Sequence, residues 1–65
     1  MKNRAMLLCI KHEIETVEEY ALKIGVSTAR AEAIIKEKAV LTQDEIDANC
    51  RLFNVSPDYF LALVE

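Results

Sequence analysis

The sequence predicts an all-α fold, a single compact domain of five short helices over residues 1–65. Apolar residues recur with helical spacing along the chain, and no segment alternates as a strand would. Helix-start signals occur repeatedly, whereas glycine and proline occur once each, so no linker divides the chain. Because 52% of its 65 residues are apolar, the chain can form one small core.

Four hydroxyl residues mark the predicted helix starts. Thr16 and Thr42 each stand three residues before a glutamate. This is the capping-box spacing, in which the hydroxyl accepts the third N–H and the glutamate reaches back. Ser56 precedes Pro57, a residue tolerated at the first helical position, and Ser27 is the fourth candidate cap. The predicted helices span residues 3–13, 17–24, 28–37, 43–53 and 57–64.

The predicted helix ends and inward faces follow from residue type and spacing. Gly25 and Asn54 can adopt the left-handed conformation that closes a helix. Each helix is expected to bury apolar residues three or four positions apart, and the apolar connection at 39–41 is expected to pack over the core. In chain order the inward residues are Met6, Cys9 and Ile10; Tyr20, Ala21 and Ile24; Ala31, Ile34 and Ile35; Ile46, Cys50 and Phe53; Phe60, Leu61 and Val64.

The residues with reactive or ligating side chains form no predicted catalytic or metal site. Cys9 and Cys50 lie far apart in apolar patterns, so we expect reduced, buried thiols, with a disulfide or redox switch as the alternative. With His12 as the one histidine, they offer no metal-ligand spacing. We find no nucleophile–base pair and no phosphate-binding loop, and therefore expect neither an enzyme nor a cofactor.

Charge is distributed unevenly along a chain of net charge −3. The first twelve residues contain Lys2, Arg4 and Lys11 and no acid. Residues 13–19 contain four glutamates, interpreted as helix capping and a solvated face, or alternatively as a surface for a basic partner. The C-terminal third is acidic. A second basic group lies between these acidic regions: Arg30, Lys36 and Lys38.

The expected location is the cytoplasm, without membrane contact. No apolar run approaches the length of a membrane span. At the N-terminus two basic residues, Lys2 and Arg4, precede a short apolar stretch, but no small-residue cleavage site follows it. It is therefore predicted to be an amphipathic helix rather than a signal peptide.

Gly25 lies in a three-residue turn between two predicted helices, the arrangement of a helix-turn-helix. Glycine adopts positive φ at such a turn without steric penalty. Four residues earlier, Ala21 is small enough for the two helices to pack closely. Tyr20, Ile24 and Val26 are apolar and suitably placed to fix the crossing angle together with Ile34.

The stretch ETVEEYALKIGVSTARAEAII resembles the core of lambda-repressor-like (Cro/CI-type, XRE-like) DNA-binding domains. The stretch LTQDEIDANCRLFNVSPDYFLALV resembles their fourth and fifth helices, so the resemblance covers nearly the whole chain. Ala21, Gly25, Val26 and Ile34 match the motif residue by residue. The resemblance implies a five-helix domain whose third helix enters the major groove, often as a two-fold dimer on a palindromic operator.

The resemblance also implies site residues on the third helix. Those expected to face bases are Ser27, Thr28, Ala29, Glu32, Ala33 and Lys36. Arg30 and Lys38 are expected to lie nearer to phosphates. The function this implies is sequence-specific transcriptional regulation of Cro/CI type in a bacterium or phage, through double-stranded DNA.

Two further expectations concern protein partners. The predicted helix 57–64 carries more apolar surface than its own core can bury, so a homodimer is expected through Phe60, Leu61, Leu63 and Val64. The acidic net charge and a third helix with few base-reading side chains leave a second function open. In that alternative the chain is an antirepressor or repressor modulator, which pairs with a second repressor protein and binds DNA weakly or not at all.

Overall fold

A computed structural model describes all 65 residues and contains five α-helices and no strand. The helices are α1 (Ala5–Lys11), α2 (Val17–Ile24), α3 (Thr28–Ile35), α4 (Gln43–Phe53) and α5 (Pro57–Phe60). Helix α2 packs against α3 and α4, α4 packs against α5, and α1 packs against α3. The radius of gyration is 10.3 Å, close to the value of about 11 Å for a compact chain of this length. The prediction of a compact all-α fold is confirmed.

The predicted helix starts of α2 to α5 are confirmed by their caps. Thr16, Ser27, Thr42 and Ser56 each accept a hydrogen bond from the backbone N–H three residues later, at 3.1 to 3.2 Å. Only Thr42 completes the capping box, because the Glu45 carboxylate accepts from the Thr42 N–H at 2.8 Å. At Thr16 the reciprocal bond does not form, so the capping-box prediction there is half correct.

All five helices are closed by a residue in the left-handed conformation. These residues are Glu13, Gly25, Glu37, Asn54 and Ala62, with φ between 56° and 75°. In each case the next N–H donates to the carbonyl five residues before it, at 2.8 to 3.1 Å. This bond defines the Schellman motif, which satisfies carbonyls at a helix end. The predicted ends at Gly25 and Asn54 are confirmed.

Three predicted helices are too long, and a closing residue explains the error at the C-terminal end of each. Helix α1 stops at Lys11 rather than residue 13 because Glu13 turns the chain. Helix α3 stops at Ile35 because Glu37 turns the chain, and α5 stops at Phe60 rather than 64 because Ala62 does so. Helix α1 begins at Ala5 rather than residue 3. The Asn3 side chain accepts from the Ala5 N–H at 2.9 Å and donates to the Ile34 carbonyl at 3.0 Å, which ties this residue to α3.

The core contains most of the predicted inward residues, but the prediction and the structure differ at both ends of the chain. Helix α1 buries Ala5, Leu8 and Cys9, whereas Met6 and Ile10, predicted to be inward, are exposed. Every residue from 5 to 10 is apolar, so the sequence did not determine which face of α1 is buried. Val64 is also exposed, since it lies beyond the end of α5. The other buried apolar residues are Ile14, Tyr20, Ala21, Ile24, Ala31, Ile34, Ala39, Leu41, Ile46, Phe53 and Phe60.

Every buried side-chain nitrogen and oxygen atom has a hydrogen-bond partner. The Tyr20 hydroxyl donates to the side-chain oxygen of Asn49, and the Asn49 amide donates to the Glu45 carbonyl at 2.8 Å. This pair joins α2 to α4, and burial raises the pKa of Tyr20. Both cysteines are free thiols, Cys9 buried and Cys50 half-buried. Burial raises the pKa of the Cys9 thiol to about 11, so that it stays protonated.

Candidate nucleic-acid interface

The turn between α2 and α3 is built on Gly25. Its φ and ψ are 75° and 36°, and the N–H groups of Gly25 and Val26 both donate to the Ala21 carbonyl, at 2.9 and 3.0 Å. A Cβ atom at this position would meet nothing within 4 Å. Glycine is therefore favoured here by the left-handed backbone and not by lack of space. Ala21 on α2 and Ala31 on α3 are both buried, and the two helices pack against each other.

One side of α3 is open along its length. Of the residues expected to face bases, Ser27, Thr28, Ala29, Glu32 and Lys36 are exposed, and Ala33 is half-buried. Ser27 uses its hydroxyl oxygen to cap the helix, with the Arg30 N–H as donor. The first turn of α3 carries no acid, so the positive end of the helix dipole is not neutralised there.

Arg30 is half-buried and is held against the protein by a carboxylate. Its Nε and Nη2 atoms donate to the two oxygens of Glu45, both at 2.7 Å, and Nη2 also donates to the Val40 carbonyl at 2.8 Å. The bond from Arg30 lowers the pKa of Glu45 to about 2, and the bond from the Thr42 N–H acts in the same direction. A two-pronged Arg–carboxylate pair fixes geometry as well as charge. The guanidinium expected near phosphate is thus bonded to the start of α4.

The two lysines of the basic group differ in their surroundings. The Lys36 amine lies 3.0 Å from a carboxylate oxygen of Glu32, one turn earlier, and both side chains are exposed. Such a pair contributes little and separates easily in water. Lys38 is exposed and forms no ion pair. Since the other two cations of the group have carboxylate partners, Lys38 is the one with a free charge.

The surface that precedes and begins α2 is acidic. Glu13, Glu15, Glu18 and Glu19 are all exposed, and the last two lie in the first turn of α2. Carboxylates at this position stabilise the helix through its dipole. They also give this side of the α2–α3 pair a negative potential, which opposes phosphate and favours a basic surface.

The residues expected in the dimer interface do not form one surface. Phe60 is wholly buried in the core, which corrects the prediction that it contacts a second copy. Leu61 is half-buried and packs against the core. Leu63 and Val64 are exposed, at 69% and 49%, but they follow the end of α5 rather than lie on it. The interface predicted for a helix over 57–64 is therefore reduced to two side chains.

Residues near the N-terminus take a structural role that the sequence did not suggest. The Arg4 guanidinium lies 4.2 Å from the centre of the Tyr59 ring and donates to the Tyr59 carbonyl at 2.6 Å. The Arg4 N–H donates to the Phe60 carbonyl at 2.8 Å. These contacts fix α5 to the start of α1. They also engage Arg4, one of the cations of the basic N-terminal segment, within the fold. No local pattern could have revealed bonds between residues 55 positions apart.

Comparisons of the chain with models of protein families, with curated proteins and with solved structures find no match. None of the five helices combines the length and the apolar character needed to cross a bilayer. The structure also brings no three histidine, cysteine or acidic side chains into a group that could hold a metal ion.

Proposed function

We propose that this chain is a lambda-repressor-like, Cro/CI-type regulator that binds double-stranded DNA with α3. The observation that carries the proposal is the open side of α3. This helix follows the left-handed turn at Gly25, and α2 packs against its other side. Two short helices in this arrangement leave the second free to enter a major groove. Two copies on a palindromic operator would then block or assist polymerase.

The exposed side chains of α3 define what the helix could read. The Thr28 hydroxyl can bond to any base edge, and the Ala29 methyl can contact a thymine methyl. The Glu32 carboxylate can accept from the amino group of cytosine once its exposed ion pair with Lys36 separates. We assign the phosphate contact to Lys38, and we assign Arg30 to holding α3 against α4 through Glu45.

The test is selection from a random duplex pool at about 150 mM salt, where non-specific binding is weak. We expect enrichment of one palindromic motif. Thr28→Ala and Glu32→Gln should each change the preference at single base pairs by about 1–3 kcal/mol. Glu65→Gln, which removes an exposed acid outside α3, should leave the motif unchanged. A pool with no enriched motif would contradict the proposal.

A second candidate function is an antirepressor or repressor modulator that pairs with another repressor protein. The observation that favours it is the distribution of unpaired charge. The glutamates at residues 13–19 are exposed and form no ion pair, while Arg30 in α3 and Lys36 just after it are each paired with a carboxylate. An acidic surface of this kind complements the basic DNA-binding side of another protein.

Co-purification from the native host separates the two candidates. The modulator predicts recovery of a protein partner that is lost on Glu18→Lys, together with no enriched DNA motif. The regulator predicts recovery of DNA fragments that share a motif, with Glu18→Lys bound at least as well because it removes a negative charge. Lys23→Glu, an exposed change on the same helix but outside the acidic segment, is the control for a general effect of charge reversal.

A further inference from the structure

An open groove lies between the C-terminal halves of α2 and α4, and its volume is about 460 Å³. Residues 22–24 and Gly25 line it from α2 and the turn, and Ala48, Arg51 and Leu52 line it from α4. Positions 48, 51 and 52 share one face of a helix, so α4 forms a continuous wall. We call this feature the α2–α4 groove.

The α2–α4 groove has mostly apolar walls, and one of them stands in solvent. Leu22 is 84% exposed, the largest exposed fraction of any large apolar residue in the protein. It points away from the buried residues Tyr20 and Ile24, because positions two residues apart lie on nearly opposite sides of a helix. Across the groove, Leu52 is half-buried. A mostly apolar concavity with a few charged groups beside it is the usual form of a binding site.

Two cations without partners also line the groove. Lys23 and Arg51 are exposed and form no ion pair. Glu19 and Asp47 stand one turn earlier on the same helices, but neither pairs with these cations and neither lines the groove. Positive charge in the last turn of a helix is favourable in itself. Since two helices bring such charges to one place, the groove carries two positive charges and no negative one, in a chain of net charge −3.

We propose that the α2–α4 groove binds a short acidic segment of a partner protein. One apolar side chain of the segment would lie between Leu22 and Leu52, and flanking carboxylates would pair with Lys23 and Arg51. Apolar anchors set in a groove are a common mode of peptide recognition, and complementary charge selects an acidic segment over a basic one. A small molecule fits less well, because small-molecule sites enclose most of their ligand, whereas the Leu22 wall is open to solvent.

The proposal depends on neither function proposed above. No residue of α3 lines the groove, so the acidic segment would bind a different part of the protein from DNA. The partner of a repressor modulator would be basic and would bind the glutamates at residues 13–19, whereas the segment proposed here is acidic. One anchor and two ion pairs bury far less than the roughly 800 Å² per partner of a stable interface, so we expect a dissociation constant of roughly 10–100 µM.

The test begins with selection of displayed random peptides, about twelve residues long, on the full chain. We expect enrichment of peptides that combine a large apolar residue with two or more acidic ones. The most enriched peptide is then titrated into isotope-labelled protein and followed by NMR at about 50 mM salt, where ion pairs are weakly screened. The amide signals of Gly25, Ala48 and Leu52 should move most, and about 300 mM salt should weaken binding by about threefold or more.

Paired substitutions locate the contact. Arg51→Glu should raise the dissociation constant of this peptide by about tenfold or more. Lys11→Glu, an equal charge reversal at an exposed cation outside the groove, should change it by less than about twofold. Leu22→Ala should raise it by about threefold or more, and Leu63→Ala, at another exposed leucine, by less than about twofold. Circular dichroism checks folding, and Arg51→Gln replaces Arg51→Glu if the latter unfolds.

The proposal is overturned if no peptide is enriched, if the enriched peptides lack acids, or if Leu63→Ala weakens binding as much as Leu22→Ala. It is also overturned if sedimentation shows a dimer that Leu22→Ala dissociates, because the groove would then be an interface between copies of this chain. Decanoate, an apolar carboxylate, tests for a small-molecule ligand. It should bind at least about tenfold more weakly than the peptide, and equal binding would overturn the proposal.

Discussion

Arg30 and Glu45 form a two-pronged ion pair, with both nitrogen–oxygen distances at 2.7 Å. Each is the third residue of its helix, so the pair joins the first turn of α3 to the first turn of α4. The same Glu45 carboxylate accepts a hydrogen bond from the Thr42 N–H and so completes the cap of α4. The Glu45 side chain thus caps the start of α4 and also holds α3, the helix proposed to enter DNA. Arg30 therefore has a structural role.

The first prediction separates a structural arginine from a phosphate contact. Arg30→Ala should lower the melting temperature and leave the salt dependence of DNA binding unchanged, because its charge is already bonded to Glu45. Lys38→Ala should leave the melting temperature unchanged and reduce the slope of log affinity against log salt by about one. Titrations of duplex DNA at several salt concentrations, beside thermal melts, measure both. The reverse result for Arg30→Ala would restore it as a phosphate contact.

The second prediction concerns acid. The pKa of Glu45 is lowered from 4.5 to about 2 in the folded protein, chiefly by the bond from Arg30. A lowered pKa stabilises the folded state fully above the unfolded value, and this contribution is lost as pH falls through the folded value. The stability difference between wild type and Glu45→Gln should therefore be constant above about pH 5 and shrink towards pH 2. Thermal melts across this range measure it, and in an Arg30→Ala background the difference should depend less on pH.

Much of the fold was predictable because its signals are local. The caps at Thr16, Ser27, Thr42 and Ser56 bond to an N–H three residues away, so each can be recognised from a short stretch of sequence. Gly25 and Asn54 are the residue types that favour a left-handed helix end. The five helices and their order followed from these positions. The resemblance to lambda-repressor-like domains, by contrast, stays a prediction.

The errors arose where distant contacts or unfavourable residue types decide the structure. Glutamate and alanine give no signal for the left-handed conformation that Glu37 and Ala62 adopt, so α3 and α5 were predicted too long. Arg30 meets Glu45 across 15 positions, and nothing in the sequence distinguished that partner from a phosphate. The interface at residues 60–64 depended on a helix that ends at Phe60.

The third prediction concerns Gly25. Gly25→Val should lower the free energy of unfolding by about 1–2 kcal/mol, because a β-branched residue is strained at φ 75°. The Cβ atom itself adds no clash, since it meets no neighbour within 4 Å. Gly25→Asn is the control and should be less destabilising, as asparagine tolerates this conformation and does so at position 54. Urea denaturation measures both, and equal losses would mean that φ is not the cause.

The fourth prediction is a stabilising change at the end of α3. Glu37 is exposed and has φ 61°. Glu37→Gly removes the strain of a left-handed glutamate, and the greater freedom of glycine in the unfolded chain offsets part of this gain. The net result should be a rise in the free energy of unfolding of roughly 0.5–1 kcal/mol. Glu32→Gly, one turn and a half earlier within the helix, should instead lower it by about 1 kcal/mol. Urea denaturation of the two variants should give opposite signs, and a loss in both would contradict the assigned backbone.

The last prediction concerns the buried bond between α2 and α4. Tyr20→Phe removes the donor to the Asn49 side-chain oxygen, which lies in a wholly buried residue and has no other partner. An unsatisfied buried acceptor should lower the free energy of unfolding by about 1–3 kcal/mol, although the ring still packs beside Phe53. Tyr59→Phe is the control, because its ring is half-buried and its hydroxyl makes no hydrogen bond within the protein. Asn49→Leu in the Tyr20→Phe background removes the stranded oxygen and should recover part of the loss, as measured by urea denaturation. If the double variant is less stable than Tyr20→Phe alone, packing around Asn49 rather than its unpaired oxygen accounts for the effect.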